Sequence, residues 1–242
     1  MEADVKVPVI WSDEHLLVIN KPAGLLTLPD GFDPSVPHIK GVLSPSWGPL
    51  WIVHRLDRDT SGVIILARSA DSHRQLNIQF QERQVSKVYH ALVLGNPIWD
   101  SKIVDLPLRV NAGRQHRTVV DLREGKQSLT QFKVLERFGN NCLIEAAPQT
   151  GRRHQIRAHL YAEGLPIACD DLYGSGSENR LSEINTSSGD RIGTDQPSLT
   201  RSALHARSIE LSHPITRKPL SFEAPYPQDF RVTLDKLRMV WS

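Results

Sequence analysis

The 242-residue chain is 39% hydrophobic and 23% charged, enough to bury a core as one large domain or two small ones, so global disorder is excluded. Its longest apolar runs, such as Leu16–Ile19 and Val63–Ala67, fall far short of the ~20 residues of a membrane helix, and two cysteines, Cys142 and Cys169, exclude a disulfide scaffold or a four-cysteine zinc site. Twenty-nine basic against 27 acidic residues lean only mildly toward nucleic acid.

The first expected element is a hairpin, because Val7–Trp11 and Leu16–Asn20 are short β-rich runs split by the polar Ser12-Asp13-Glu14-His15. Pro29, Pro34, Pro37, Pro45 and Pro49 then predict a loop-rich insertion over 28–50, without a long helix or a central strand. Val63–Ala67 reads as a strand buried on both faces. Ser69 caps a predicted helix over 70–83, with Leu76 and Phe80 on one face. Strands are expected at Tyr89–Leu94, Thr118–Val120, Thr130–Leu135 and Cys142–Ala146. Thr150-Gly151 opens a second predicted helix that buries Ile156 and Leu160, sets Arg153 and Arg157 one turn apart, and stops at Gly164 and Pro166. From Gln149 to Tyr161 the chain has Arg152, Arg153, His154, Arg157 and His159 and no acidic residue, a local positive patch or a solvated helix face. Residues 174–201, rich in Gly, Ser, Asn and Thr, predict a mobile loop. Strands return near Leu204–Ala206, Ile209–Leu211 and Pro219–Ala224. The fold class is α+β, a largely antiparallel mixed β-sheet flanked by helices and loops, in a single domain over 1–242.

The segment with the densest chemistry is His54-Arg55-Leu56-Asp57-Arg58-Asp59-Thr60-Ser61-Gly62, between the Pro-rich loop and the buried strand. Its ionisable groups stand at the entrance to a rigid element, and Arg55 and Arg58 flank Asp57 with positive charge. An Asp followed by Thr-Ser-Gly is also what a hydroxyl-capped turn looks like. A metal-dependent hydrolase using His54, Asp57, His154 and His159 is disfavoured, since His154 and His159 are five apart and no HExxH or Cys-pair spacing occurs.

This nonapeptide closely resembles the signature of the RluA-type RNA pseudouridine synthases, in which the aspartate is the indispensable catalytic residue. Asn20-Lys21-Pro22-Ala23-Gly24-Leu25 is similar to the family's opening NKPxGL element, and Ser86 to Gly95 to its K-x-Y-x-A-x-V-x-G strand. Thr150 to Leu160 matches its TGR-x-HQIR-x-HL helix nearly residue for residue, and the likeness extends over roughly 7–226. Two departures stand out: Cys169 replaces a usual glycine before Asp170, and Gln127 replaces a common proline. The resemblance implies the pseudouridine synthase fold and isomerisation of uridine in structured RNA, a ribosomal or transfer RNA stem-loop, by a cytoplasmic monomer with no cofactor and no metal. It implies catalytic roles for Asp57, Tyr89 and Arg157, with Arg157 paired to Asp57. Arg55 would intrude where the uridine leaves its stack, and Lys21, His54, Thr60, Arg152 and Arg153 complete the expected RNA-binding set, with Arg109, Arg114 and Arg117 as further phosphate ligands. About twenty residues precede the NKPAGL element, so no S4-type module is expected there and a hairpin of roughly 15–25 nucleotides should suffice as substrate. The alternative from another class is an RNA-binding or assembly factor that retains the fold without turnover.

Overall fold

A computed structural model of the chain describes residues 5–113, 115–174 and 199–241. These residues form two compact units, the first of residues up to Val88 with His205–Pro225, the second of Tyr89–Leu204 with the residues from Tyr226 onward. The loop predicted over 174–201 lies outside the described residues from 175 to 198. Its last part is ordered by packing and charge, since Leu199 is buried and Arg201 forks onto Asp229 at 2.8 and 3.0 Å.

In the first unit, β1 (Val9–Ser12) and β2 (Leu16–Lys21) form the expected antiparallel hairpin. The Asp13 carboxylate fixes its turn by accepting from the His15 and Leu16 amides at 2.8 and 2.7 Å. The Pro-rich segment that follows holds no long helix and no central strand, but it does form a short helix. A nine-residue α1 (Ile39–Trp47) forms with Pro45 two residues before its end, at the cost of the one bond that Pro45 cannot donate, and buries Ile39 and Leu43. A two-residue β3 (Trp51–Ile52) follows. Every residue of β4 (Ser61–Ala67) is buried, as its unbroken apolar run requires. Ser69 caps α2 (Ala70–Gln81) by accepting from the Ser72 amide at 3.1 Å.

β4 is the spine of this unit. β2 runs antiparallel along one edge; the other edge is shared by β3 at Leu66–Ala67 and by a parallel pairing of β11 (Leu204–Ser212) at Ser61–Gly62. β12 (Pro219–Glu223) pairs antiparallel with β11. The mixed sheet inferred from sequence is therefore present here. Gly62 adopts φ +119, and a Cβ there would drive into the Ala206 carbonyl and lie 2.6 Å from the Ala206 amide nitrogen. Gly62→Ala should lower stability by roughly 3 kcal/mol or more, because both backbone and contact forbid the methyl. A chemical melt with a wild-type midpoint would refute this.

The second unit is an antiparallel sheet in the order β5 (Ser86–Leu94), β10 (Asn141–Pro148), β9 (Leu129–Phe138), β6 (Ser101–Asp105), with β5 entering it from Tyr89. β7 (Leu108–Ala112) and β8 (Arg117–Val120) form a separate hairpin. α3 (Gln155–Ala162) begins later than Thr150-Gly151. Thr150 and the Arg152 amide both donate to Gln155 Oε1, at 2.7 and 3.1 Å, so residues 150–154 form a bonded entry loop. Arg153 thus precedes the helix instead of standing on it one turn before Arg157. A C-terminal α4 (Gln228–Trp241), not anticipated from sequence, buries Phe230, Leu234 and Leu237 in the core beside Phe132, Ile144 and Leu160. Among the described residues no helix is long and apolar enough to cross a membrane.

Candidate active site

Asp57 sits on the connection that carries the chain from β3 into β4. The Thr60 amide donates to the Asp57 carbonyl at 3.2 Å, closing a tight turn around a half-buried carboxylate. This turn is gripped from the loop that follows β2. The Gly24 amide donates to the Arg58 carbonyl at 2.9 Å, with Gly24 at φ +85, and Thr27 Oγ1 donates to the Leu56 carbonyl at 2.8 Å while accepting from the Leu56 amide. The NKPAGL element is thus the outer half of a clamp on Asp57.

Lys21 is the clamp's centre, not a phosphate ligand. It is 0% exposed, and its ammonium donates to the carbonyls of Leu25, Pro22 and Arg58 at 2.8, 3.0 and 3.0 Å. Three carbonyls of two irregular loops converge on one cation, which satisfies backbone groups that no strand could pair. Lys21→Met should cost about 2 kcal/mol or more, since it strands the Pro22 and Leu25 carbonyls while the Arg58 carbonyl keeps the Gly24 amide. A wild-type melting midpoint for that variant would show the clamp to be dispensable.

Two further residues expected at the RNA belong to the same frame. His54 Nε2 accepts from the Ile65 amide at 2.9 Å, filling the gap on the β4 edge between β3 and β11, and its ring stacks on Phe80 at 4.9 Å. Burial, with the Lys87 charge nearby, lowers its pKa to about 3, so it is neutral at any working pH. Thr60 is buried, and its amide serves the turn. Beyond it, Ser61 Oγ lies 2.9 Å from His205 Nδ1, and His205 Nε2 lies 3.1 Å from the Ala224 carbonyl. The carbonyl can only accept, so Nε2 carries the proton and Ser61 donates to Nδ1. Arg55, by contrast, is exposed and makes no hydrogen bond or ion pair among the described residues.

In the second unit, Tyr89 is half-buried on β5 opposite Ala146 of β10, and packs on the core. Arg157 forks onto Asp170, Nε to Oδ2 at 2.7 Å and Nη2 to Oδ1 at 2.8 Å. Asp170 also accepts from the Leu172 and Tyr173 amides at 3.0 and 3.1 Å and from Ser202 Oγ at 3.3 Å. Burial alone would push this carboxyl up. Arg157 and the two amides outweigh it and hold the pKa below the ordinary carboxylate value. Sequence reasoning missed Asp170 as Arg157's partner, because the signal lies 13 residues away in a turn.

Cys169, just before it, adopts φ +57 itself. The turn that a glycine would make freely is therefore kept, at a strain of about 1 kcal/mol. Arg153 is exposed and donates to Asn111 Oδ1 at 2.7 Å. Arg152 reaches the Gln127 carbonyl at 3.4 Å, and its buried Nε has no partner among the described residues. Arg109 pairs with Asp121 at 2.7 Å, and Arg114 lies outside the described residues. The histidines of a hydrolase reading are occupied as well: His159 is bonded through Nδ1 to Thr130 and through Nε2 to the Leu106 carbonyl.

Comparison with known proteins agrees with this architecture. The family model "RNA pseudouridylate synthase" matches residues 15–162. The chain is 37% identical, over 98% of its length and 71% of the relative's, to ribosomal large subunit pseudouridine synthase C of Vibrio vulnificus. It is 36% identical to ribosomal large subunit pseudouridine synthase D of Pseudomonas aeruginosa, over 97% of this chain and 73% of that protein. The solved structure of human RNA Pseudouridylate Synthase Domain Containing 4 is similar with a TM-score of 0.73 at 26% identity, covering 96% of this chain and 93% of that one. Family model, curated relatives and fold converge, and the chain belongs to the RluA-type RNA pseudouridine synthases, intramolecular isomerases that act on RNA.

Proposed function

We propose that this enzyme converts specific uridines of large-subunit ribosomal RNA to pseudouridine, with Asp57 as the essential carboxylate. The observation that carries the catalytic part is the clamp: Lys21, Gly24 and Thr27 immobilise the backbone on both sides of a half-buried Asp57, the preorganisation a reacting group needs. The RNA class rests on the names of the relatives, which are large-subunit enzymes.

In the reaction the N1–C1′ bond breaks, the uracil turns, and a C5–C1′ bond forms as C5 loses its proton and N1 gains one. The change is redox-neutral and balanced within one nucleotide, so its chemistry calls for no cofactor. Asp57 acts at the sugar, as nucleophile or as base. Tyr89 packs on the uracil, and Arg157, oriented by Asp170, supplies positive charge to the reacting nucleotide. Arg55 enters the space left by the flipped base, since guanidinium both stacks and binds phosphate. Arg152 and Arg153 hold the backbone. His54, Lys21 and Thr60 act from within, holding the Asp57 turn.

Pseudouridine mapping across total RNA of cells with and without the gene tests this. Loss of one or a few large-subunit positions is expected. If the missing positions were confined to transfer RNA, the ribosomal assignment would be wrong; if none were missing, the scaffold without turnover would be the better reading.

A further inference from the structure

Tyr173 has no place in the reaction as described above, yet it touches Arg157 and, through His154 and Thr118, the segment that carries Arg153. It is 2% exposed. The Arg157 guanidinium lies over its ring, Cζ 5.0 Å from the centroid, and Arg117 approaches the same ring at 5.8 Å. Its hydroxyl accepts from the Thr118 amide at 2.8 Å and donates to the Thr118 carbonyl at 3.1 Å, gripping both backbone groups of one residue of β8. The single hydroxyl proton is thereby used. His154 Nδ1, 3.2 Å from the same oxygen, must then be the donor. That tautomer leaves His154 Nε2 as acceptor for Arg153 Nε at 3.4 Å. Thr118 Oγ1 completes the ring of bonds by donating to the Arg153 carbonyl at 2.8 Å.

The guanidinium of Arg157 is thus defined in its plane by the Asp170 fork and across its face by Tyr173, and Tyr173 is itself bolted to the β7–β8 hairpin. We infer that Tyr173 is a positioning residue that locks Arg157 to this hairpin, so that the hairpin's seating on RNA sets the placement of Arg157. The inference rests on the proposed role of Arg157. On its exposed side the hairpin carries His116 and Arg109, the latter paired with Asp121, and it receives Arg153 at Asn111, the basic groups by which it would seat on RNA. Burial pushes the Tyr173 pKa up, so the hydroxyl keeps the proton that this bonding needs.

Two substitutions separate the two grips. Tyr173→Phe keeps the ring under Arg157 and loses the bonds to Thr118 and His154. It should raise KM several-fold and speed amide exchange at Thr118, with kcat within about twofold of wild type. Tyr173→Leu removes the ring as well and should also lower kcat about tenfold, the scale of a desolvated cation–π contact. In an Arg157→Ala, Asp170→Asn background, where no buried carboxylate is left alone, Tyr173→Leu should lower kcat no further. The same tenfold loss in that background, or equal kcat for Phe and Leu, overturns the inference. Unchanged exchange at Thr118 in the Phe variant, which preserves the buried volume, overturns it even if the Leu variant does not fold. If the Arg157→Ala, Asp170→Asn protein itself turns over at the wild-type rate, the role of Arg157 fails first and the positioning role falls with it.

Discussion

Asp57→Asn should abolish pseudouridine formation, a loss of at least ~10³-fold in single-turnover rate, while the protein folds and binds RNA nearly as before. Removing a positioned acid or base commonly costs 10²–10⁴-fold, and removing a nucleophile ends the covalent route altogether. The structure argues that the loss will be chemical and not conformational. The Asp57 turn is held through main-chain atoms, the Asp57 and Arg58 carbonyls and both backbone groups of Leu56, none of which the amide side chain alters. The Asn variant keeps the side chain's size and all of these main-chain bonds and should therefore remain folded under assay conditions, which a melt checks. Release of the uracil C5 proton or mapped product can follow turnover, and retention of a labelled hairpin follows binding. An Asn variant with a rate within tenfold of wild type would remove Asp57 from the chemistry.

The parts of this fold written in local sequence could be read directly. β4 declared itself through five consecutive apolar residues, and α2 through Ser69 followed by Asp71, because burial and capping act within one element. α1 was hidden by Pro45, which stops a helix from sequence alone but is tolerated in a last turn that Gly48 then closes by donating to Ser44. α4 left a usable signal in Phe230, Leu234 and Leu237, at helical spacing on one face. Within the site, residue types were misleading wherever the partner is backbone. Lys21 and His54 look like RNA ligands in a basic motif. One in fact ties three carbonyls and the other takes one amide, and nothing in the sequence marks which main-chain groups of distant loops go unpaired. Asp57 stands out in the sequence only because the motif around it resembles a known signature.

Arg157→Ala should cost far more than Arg153→Ala, and in two separable ways. Arg153 is exposed, with hydrogen bonds to Asn111 and to His154; its loss should raise KM by a few-fold, less so as salt rises, because a phosphate contact is screened by counterions. Arg157 supports a carboxylate that is 1% exposed. Deleting it leaves Asp170 charged and buried beside two amides, a penalty of about 3–5 kcal/mol for breaking a buried pair. The single variant will therefore lose stability and turnover together, and cannot by itself assign a catalytic role. Asp170→Asn in the same chain removes the stranded charge while the amide oxygen can still accept from Leu172 and Tyr173. The Arg157→Ala, Asp170→Asn protein should recover most of the lost stability and none of the lost kcat. Acid sensitivity should shift with it. The folded-state pKa of Asp170 is lowered, so its stabilisation is present above the unfolded carboxylate value and disappears as pH falls through the folded one. The double variant should lack that part of the acid transition. Turnover that returned along with stability would make Arg157 a structural residue.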